Sequence, residues 1–237
     1  MTEARVALIT GALGGIGAAA VSAFRQAGFE VVGADRQPGA EVTADVATSE
    51  GARSAVGLAA ERGHLKAVFL AHGISGRDLG DGPVTECTEE GWDAVLDANL
   101  RSAFLICRHA VPRLVEAGGG AIVALGSVLG LVGGDEDFDT HAYAASKAGI
   151  VGLTRAIAVR YAADGVRANV VAPGLIATGM SLRAQSDPRI RARLRKLQPL
   201  TGDLGRPEDV AGAALYLAQA EFVTGTVLAV DGGWTAQ

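Results

Sequence analysis

The sequence predicts an α/β domain in which one parallel sheet is covered by helices on both faces. Short, continuously apolar runs alternate with helical patterns along the whole chain, and turn-forming glycines lie at the ends of these runs. The chain has 237 residues, of which 49% are hydrophobic, and shows neither a linker nor an internal repeat. We therefore expect a single, doubly wound, Rossmann-like domain over residues 1–237 with about seven strands.

The elements follow in order from these runs. The predicted strands are 6–9, 30–34, 41–43, 67–70, 121–125, 166–171 and 227–230. The predicted helices are about 15–27, 49–62, 88–116, 141–163 and 207–218. Thr88 is the expected N-cap of the long third helix, Pro112 is expected to bend it, and Pro207 suits a first helical position.

Composition excludes several classes of protein. The net charge of −5 gives no basic footprint for nucleic acid, and no apolar run reaches the ~18 residues that span a bilayer. Met1–Arg5 leads directly into a strand, so we expect no secretory signal. Cys87 and Cys107 are too few for a disulfide framework or a zinc site. The expectations are a cytoplasmic protein with no metal, no membrane partner and structural cysteines.

A glycine-rich turn, Thr10–Gly17, joins the first strand to the first helix. Gly11 permits a tight turn, whereas Gly15 and Gly17 let the backbone approach a pyrophosphate and pack helix against strand. The helix N-terminus offers unpaired N–H groups and a positive dipole end to phosphates. In this strand–turn–helix context the turn predicts a dinucleotide site.

Asp35 ends the second strand, 18 positions after Gly17. A carboxylate there binds ribose hydroxyls and repels a 2′-phosphate, which favours NAD. Arg36 leaves NADP open, because a guanidinium beside the ribose accepts a 2′-phosphate, but Gly14 supplies no second cation. A solvated turn residue is the alternative interpretation of Asp35.

Tyr143 and Lys147 lie four positions apart on a predicted helix, so they share a face, and Ser127 precedes them. A nearby ammonium favours the tyrosinate, which predicts a lowered Tyr143 pKa and proton exchange at neutral pH. Beside a dinucleotide site, this pair indicates hydride transfer coupled to proton transfer.

The chain resembles the short-chain dehydrogenase/reductase family over essentially its whole length. The resemblance rests on the order and spacing of the glycine turn, Asp45-Val46, Asn99, Ser127, Tyr143-x-x-x-Lys147, Pro173-Gly174, Thr178 and Val230-Asp231-Gly232-Gly233. It implies that Tyr143 is the general acid/base, that Ser127 binds the substrate oxygen, that Lys147 lowers the tyrosine pKa and holds the ribose, and that Asn99 supports a water relay. The cofactor residues that it implies are Gly11, Leu13, Gly14, Gly15, Ile16, Gly17, Asp35, Arg36, Asp45, Val46, Ala71, Gly73, Asn99, Tyr143, Lys147, Pro173, Gly174, Ile176 and Thr178.

Two departures from the family pattern stand out. The family commonly has Asn-Asn-Ala-Gly after the fourth strand, where this chain has Leu70-Ala71-His72-Gly73. His72 is expected to pack in place of the asparagine, with a position near the adenosine as the alternative. Ser127 and Tyr143 lie 16 positions apart, a few more than usual, and the extra residues fall in 133–139.

The insertion 133–139 is acidic and is expected at the pocket mouth, with Phe138 able to turn inward. The expected lid, 175–200, is rich in arginine, and its i,i+4 arginine pairs repel each other unless acids face them. A solvated loop and a charged outer helix face are the plain interpretations. The opposite charges leave the substrate charge open.

The function predicted is an NAD-dependent oxidoreductase that interconverts a secondary alcohol and a ketone. The alternatives are an NADPH-dependent ketoreductase of the 3-oxoacyl thioester type and a non-catalytic dinucleotide sensor. Asp35 and the acidic insertion argue against the first, and the intact Asn99, Ser127, Tyr143 and Lys147 set argues against the second. The resemblance implies a homotetramer, less often a dimer. Trp234 is expected either at such an interface or in a simple core or surface role.

Overall fold

A computed structural model describes residues 4–237 and contains one parallel sheet of seven strands in the order β3-β2-β1-β4-β5-β6-β7. The strands are β1 Arg5–Thr10, β2 Glu30–Asp35, β3 Val42–Thr43, β4 His64–Leu70, β5 Gly120–Leu125, β6 Val166–Pro173 and β7 Val227–Val230. The predicted doubly wound α/β fold and its seven strands are confirmed. Their continuous apolar character follows from burial on both faces.

Helices cover both faces of the sheet. They are α1 Gly15–Gln26, α2 Ser49–Glu61, α3 Glu89–Leu96, α4 Ser102–Glu116, α5 His141–Arg160, α6 Leu182–Ser186, α7 Pro188–Leu197 and α8 Pro207–Gln219. Alternate strand residues divide between two cores: Leu8 and Val68 pack toward α2, α4 and α5, whereas Ile9 and Phe69 pack toward α1 and α8. Within residues 4–237, none of these helices is long and apolar enough to cross a membrane.

The long helix predicted over 88–116 is divided. Helix α3 passes through a π-helical turn, Asp97–Arg101, into α4, so the break lies at Asn99. Helix α4 continues through Pro112, so this proline does not end the helix, and the bend expected there stays a prediction. Such π turns often occur at functional sites, because one extra residue redirects the side chains around it.

The strand order reverses between β1 and β4, which sit side by side at the centre of the sheet. The connections that leave the carboxyl ends of these two strands diverge in opposite directions, and the resulting crevice is where parallel α/β sheets bind ligands. The glycine turn follows β1, Ala71–Gly73 follow β4, and Ser127 follows β5. The topology therefore brings the predicted site residues to one edge of the sheet.

Candidate active site

The glycine turn is so closely packed that side chains are excluded at its key positions. A Cβ on Gly17 would lie 1.9 Å from the Gly11 carbonyl oxygen. Gly11 itself has φ +67°, and its Cβ would lie 2.8 Å from the His72 backbone. A Cβ on Gly15 would lie 2.9 Å from Cγ2 of Thr178. These contacts join the turn to the segments after β4 and β6.

The N-terminus of α1 is shaped to receive an anion. Gly14 is its N-cap and provides no side-chain cap, and its first turn contains no acidic residue. The amide groups of Gly15 and Ile16 therefore keep their hydrogen-bonding capacity at the positive end of the helix dipole. This arrangement fits the pyrophosphate of a dinucleotide.

Asp35 lies at the end of β2 beside the glycine turn. One carboxylate oxygen accepts a hydrogen bond from Leu13 N at 3.1 Å and the other from Gln37 N at 3.0 Å. These two bonds hold the carboxylate at the predicted ribose position. Arg36, the neighbouring residue, is exposed.

Asp45 and Val46, for which the resemblance implies cofactor contact, differ in exposure. Asp45 is exposed and accepts a hydrogen bond from Ala47 N at 2.9 Å. Val46 is buried in the core beside α2, so its side chain packs under the segment that carries Asp45.

Tyr143, Lys147 and Ser127 come together at the end of β5. The Lys147 ammonium lies 5.6 Å from the centroid of the Tyr143 ring and donates to the Leu125 carbonyl oxygen at 2.8 Å. Ser127 hydrogen-bonds the Tyr143 side chain and accepts from Leu129 N at 3.2 Å. The helical spacing and the strand end thus place a hydroxyl, a phenol and an ammonium together, as predicted.

The pKa of Tyr143 departs from expectation. Burial raises it above the ordinary value, and the hydrogen bond from Ser127 acts in the opposite direction. Burial also lowers the pKa of Lys147 to about 8, because its ammonium is removed from water. The expected lowering of the tyrosine pKa by Lys147 is therefore wrong for the chain alone, where burial is the larger effect.

Asn99 is buried near Lys147. Its Oδ1 accepts from Ile74 N at 2.8 Å, and its Nδ2 donates to the Ile74 carbonyl at 3.0 Å and to Ser146 Oγ at 3.0 Å. A Cβ on Gly73 would lie 2.9 Å from Asn99 Oδ1 and 3.4 Å from Lys147 Nζ. Gly73 therefore leaves room for the two side chains to approach the loop after β4.

Pro173 ends β6, and the loop after it is anchored by a residue that the sequence did not indicate. Gln198 is 2% exposed and its Oε1 accepts from Leu175 N at 2.5 Å. A Cβ on Gly174 would lie 2.4 Å from the same oxygen. Gln198 thereby fixes the run of predicted cofactor residues that continues through buried Ile176 to Thr178. A neutral glutamine after a basic helix carried no sequence signal.

His72 packs between elements, as expected. Ser102 Oγ donates to the Ala98 carbonyl at 2.7 Å, so it accepts from His72 Nε2, also at 2.7 Å. Nδ1 then accepts from the Thr10 hydroxyl. Burial, with the nearby Lys147, lowers the His72 pKa to about 3, so the ring is neutral. It ties β1 to α4 where the family has asparagine.

The acidic insertion and the arginine-rich lid are paired with each other. Arg193 binds the carboxylates of Asp135 and Asp137, and Arg189 binds Asp137 at 2.8 Å. Arg183 donates to the Asp137 backbone carbonyl. The side chain of Asp137 is only 4% exposed, so the interpretation of 133–139 as a purely solvated loop was wrong. The repulsion expected between lid arginines is relieved by facing acids.

An apolar cluster underlies this ionic contact. Phe138 turns inward, is 8% exposed and meets the Trp234 ring edge-on with centroids 5.1 Å apart. The cluster also contains Leu129, two residues after Ser127, and Leu175, next to Gly174. The apolar underside of the lid therefore packs against the segments that follow Ser127 and Gly174.

A second residue that sequence reasoning missed is Asp81. It is 5% exposed, and its two oxygens accept from Ala142 N and Tyr143 N, each at 2.9 Å. Its only signal in the sequence is an acid between two glycines in a loop without periodicity. Nothing local relates it to a helix 61 residues later.

The comparisons with known proteins agree with this geometry. A family model described as enoyl-(acyl carrier protein) reductase matches residues 11–235. The chain is 38% identical to a cis-4-hydroxycyclohexanecarboxylate dehydrogenase from Sinomonas cyclohexanicum, covering 98% of this chain and 97% of the relative. The chain belongs to the short-chain dehydrogenase/reductase family. It is an oxidoreductase that acts on CH–OH groups with a nicotinamide dinucleotide.

Two further family members bear on substrate and cofactor. A cyclohexanol dehydrogenase from an Acinetobacter strain is 37% identical, covering 98% of this chain and 96% of the relative. A structure described as a candidate NAD(P)-dependent gluconate 5-dehydrogenase from Beutenbergia cavernae contains NADP at low occupancy. It has a TM-score of 0.87 and 34% identity and covers 98% of this chain and 97% of that one.

Proposed function

We propose that this protein oxidises a neutral, ring-bearing secondary alcohol with NAD. The observation that carries the proposal is the convergence of Ser127, Tyr143 and Lys147 beside the glycine turn and beneath an apolar lid. Two relatives named for cyclohexanol-type substrates support the ring, and the pairing of the lid charges supports a neutral substrate.

In the proposed reaction, Ser127 donates a hydrogen bond to the substrate oxygen and orients the carbinol. Tyr143, in its phenolate form, accepts the hydroxyl proton, and the nearby Lys147 ammonium favours that form. The bound nicotinamide supplies the hydride acceptor. Burial favours the neutral phenol in the chain alone, so the proposal requires added positive charge to offset burial when the cofactor is bound.

NAD is proposed as the preferred cofactor because Asp35 ends β2 beside the glycine turn, where a carboxylate would bind ribose hydroxyls and repel a 2′-phosphate. Its bonds to Leu13 N and Gln37 N keep it from turning away. Gly14 in the glycine turn supplies no second cation, so Arg36 is the local candidate for a 2′-phosphate. Removal of the carboxylate should therefore relax the preference.

Steady-state kinetics with each cofactor test this point. We expect kcat/KM with NAD to exceed that with NADP by about 100-fold, since unfavourable charge pairing costs a few kcal/mol. Asp35→Ala should lose most of that ratio, whereas Arg36→Ala should preserve it. A wild-type preference for NADP would reject the cofactor assignment while leaving the reaction class intact.

A neutral substrate is proposed because the arginines that face the insertion are already engaged. Arg189 and Arg193 bind carboxylates of the insertion, and Arg191 binds Asp203 at 3.2 Å. An anionic substrate would have to displace one of these acids. The corresponding test compares cyclohexanol with cis-4-hydroxycyclohexanecarboxylate, with Tyr143→Phe as the blank. Higher kcat/KM for the carboxylate would contradict the proposal.

Of the two arguments against an NADPH-dependent ketoreductase, one no longer holds and the other remains. The acidic insertion no longer argues against it, because Asp135 and Asp137 form ion pairs with Arg193 of the lid. The position of Asp35 still disfavours NADPH. Reduction of a 3-oxoacyl thioester with NADPH, faster than oxidation of any ring alcohol with NAD, would establish this alternative.

A homotetramer is also proposed. Large apolar side chains are exposed on the helices outside the sheet, including Phe104 on α4 and Val159 on α5, which is 82% exposed. Exposed apolar side chains on these helices are available for contacts between subunits. Light scattering coupled to size-exclusion chromatography gives the mass directly.

The free thiols of Cys87 and Cys107 support the proposed cytoplasmic location.

A further inference from the structure

The catalytic helix α5 begins without a cap of its own. Its N-cap, Thr140, makes no side-chain hydrogen bond to the first turn. The missing acceptors come from Asp81, whose two carboxylate oxygens each bind one backbone amide, Ala142 N and Tyr143 N, at 2.9 Å. The amide of Tyr143 is therefore held directly by a carboxylate.

Asp81 is itself rigidly placed. Its amide donates to the Gly76 carbonyl at 3.0 Å, and the Thr88 amide donates to the Gly80 carbonyl at 3.0 Å, which ties the loop to the start of α3. The adjacent residues also contact the helix: His141 N donates to the Gly82 carbonyl at 3.2 Å, and Val84 N donates to His141 Nδ1 at 2.9 Å. Four hydrogen bonds thus join this loop to the first turn of α5.

The charge of Asp81 is compensated by the helix rather than by a cation. Within residues 4–237, no lysine or arginine forms an ion pair with this carboxylate. The positive end of the α5 dipole and two N–H donors take that role. The two amides of the first turn orient the Asp81 carboxylate, and the carboxylate in turn fixes the position of this turn.

We infer that Asp81 is a positioning residue for catalysis that clamps the first turn of α5 and thereby sets the place of Tyr143. The first turn of a helix is the part most prone to fray. Tyr143 lies in that turn, whereas Lys147 lies one turn further on and has its own anchor at the Leu125 carbonyl. Loss of Asp81 should therefore displace the proton-transfer group and leave the cofactor contacts in place.

The test separates this role from stability alone. In Asp81→Ala and Asp81→Asn we expect kcat to fall by about 10- to 100-fold, as small misplacements of reacting groups do. The dissociation constant of NADH should stay within about twofold of wild type, with Asn the milder change because it keeps one acceptor. Asp209→Ala is the matched control, since Asp209 caps α8 through Arg206 N at 2.9 Å and α8 carries no site residue. It should lose stability but keep kcat.

Folded Asp81→Asn with wild-type kcat would overturn the inference, as would equal losses of kcat and NADH affinity. Should the variants not fold, hydrogen exchange of the wild-type chain decides: the Ala142 and Tyr143 amides must be strongly protected, and free exchange overturns the clamp. The inference rests on the proposed role of Tyr143. An active Tyr143→Phe would reject that role, whereas amide protection would still report on the clamp.

Discussion

Lys147 offers a quantitative test of the buried site. Its side chain is 2% exposed and its pKa is lowered from 10.5 to about 8 by burial. Unfolding restores the higher pKa, so the unfolded chain binds more protons between these values and stability rises with pH there. The stability is present above the unfolded pKa and is lost as pH falls toward 8. From pH 7 to pH 9.5 the expected gain is about 2 kcal/mol.

The perturbation is Lys147→Met, which keeps the length of the side chain and removes the titration. Urea unfolding of both proteins at pH 7, 8, 9 and 9.5 gives two curves of unfolding free energy against pH. Groups common to both proteins cancel in the difference, which should grow by about 2 kcal/mol toward high pH in favour of wild type. Parallel curves would show that the pKa of Lys147 is the same in the folded and unfolded chains, and would refute the reasoning.

Three further predictions follow from the packing. Gly17→Ala places a Cβ 1.9 Å from the Gly11 oxygen, so calorimetry should show NADH affinity reduced more than tenfold, and unchanged affinity would contradict the geometry. Asp137→Asn should lower the unfolding free energy by about 1–3 kcal/mol in urea, less than for a fully buried pair because Arg189 is 73% exposed; a change near zero would count against the contact. Between pH 7 and pH 5 the wild type should lose up to about 2 kcal/mol of unfolding free energy through His72, because its folded pKa of about 3 lies below the unfolded value. His72→Asn should remove this loss, and identical acid unfolding curves for the two proteins would argue against the neutral ring.

The sequence was sufficient for the features that depend on local periodicity. Apolar runs located all seven strands, and β7, Val227–Val230, was predicted to the residue. The turn Gly11–Gly17 was recognisable because closely packed backbone admits only glycine at particular positions. The π turn around Asn99 was not predictable, since its residues are ordinary helix formers and the extra residue is accommodated by tertiary packing.

Contacts between distant segments could not be read from composition. The sequence showed an acidic insertion and a basic lid but not that Arg193 meets Asp135 across 58 positions. Likewise, the prediction of a lowered Tyr143 pKa took account only of its neighbour on the helix, Lys147. The burial that outweighs this neighbour depends on the whole fold, so its direction became visible only in three dimensions.

The pairing of insertion and lid has a consequence for specificity. A charged side chain that already forms an ion pair within the protein adds little to the affinity for a charged substrate. The free energy lost by breaking the ion pair offsets the free energy gained from the new contact. Asp137 is buried under Arg189 and Arg193, and Phe138 packs its ring on the apolar side of the same segment. One insertion thus fixes the lid through ion pairs and, through Phe138, packs against the apolar side of the lid. Selectivity among secondary alcohols should therefore follow the size and shape of their rings, at roughly 1–3 kcal/mol for each methylene added or removed, rather than their charge.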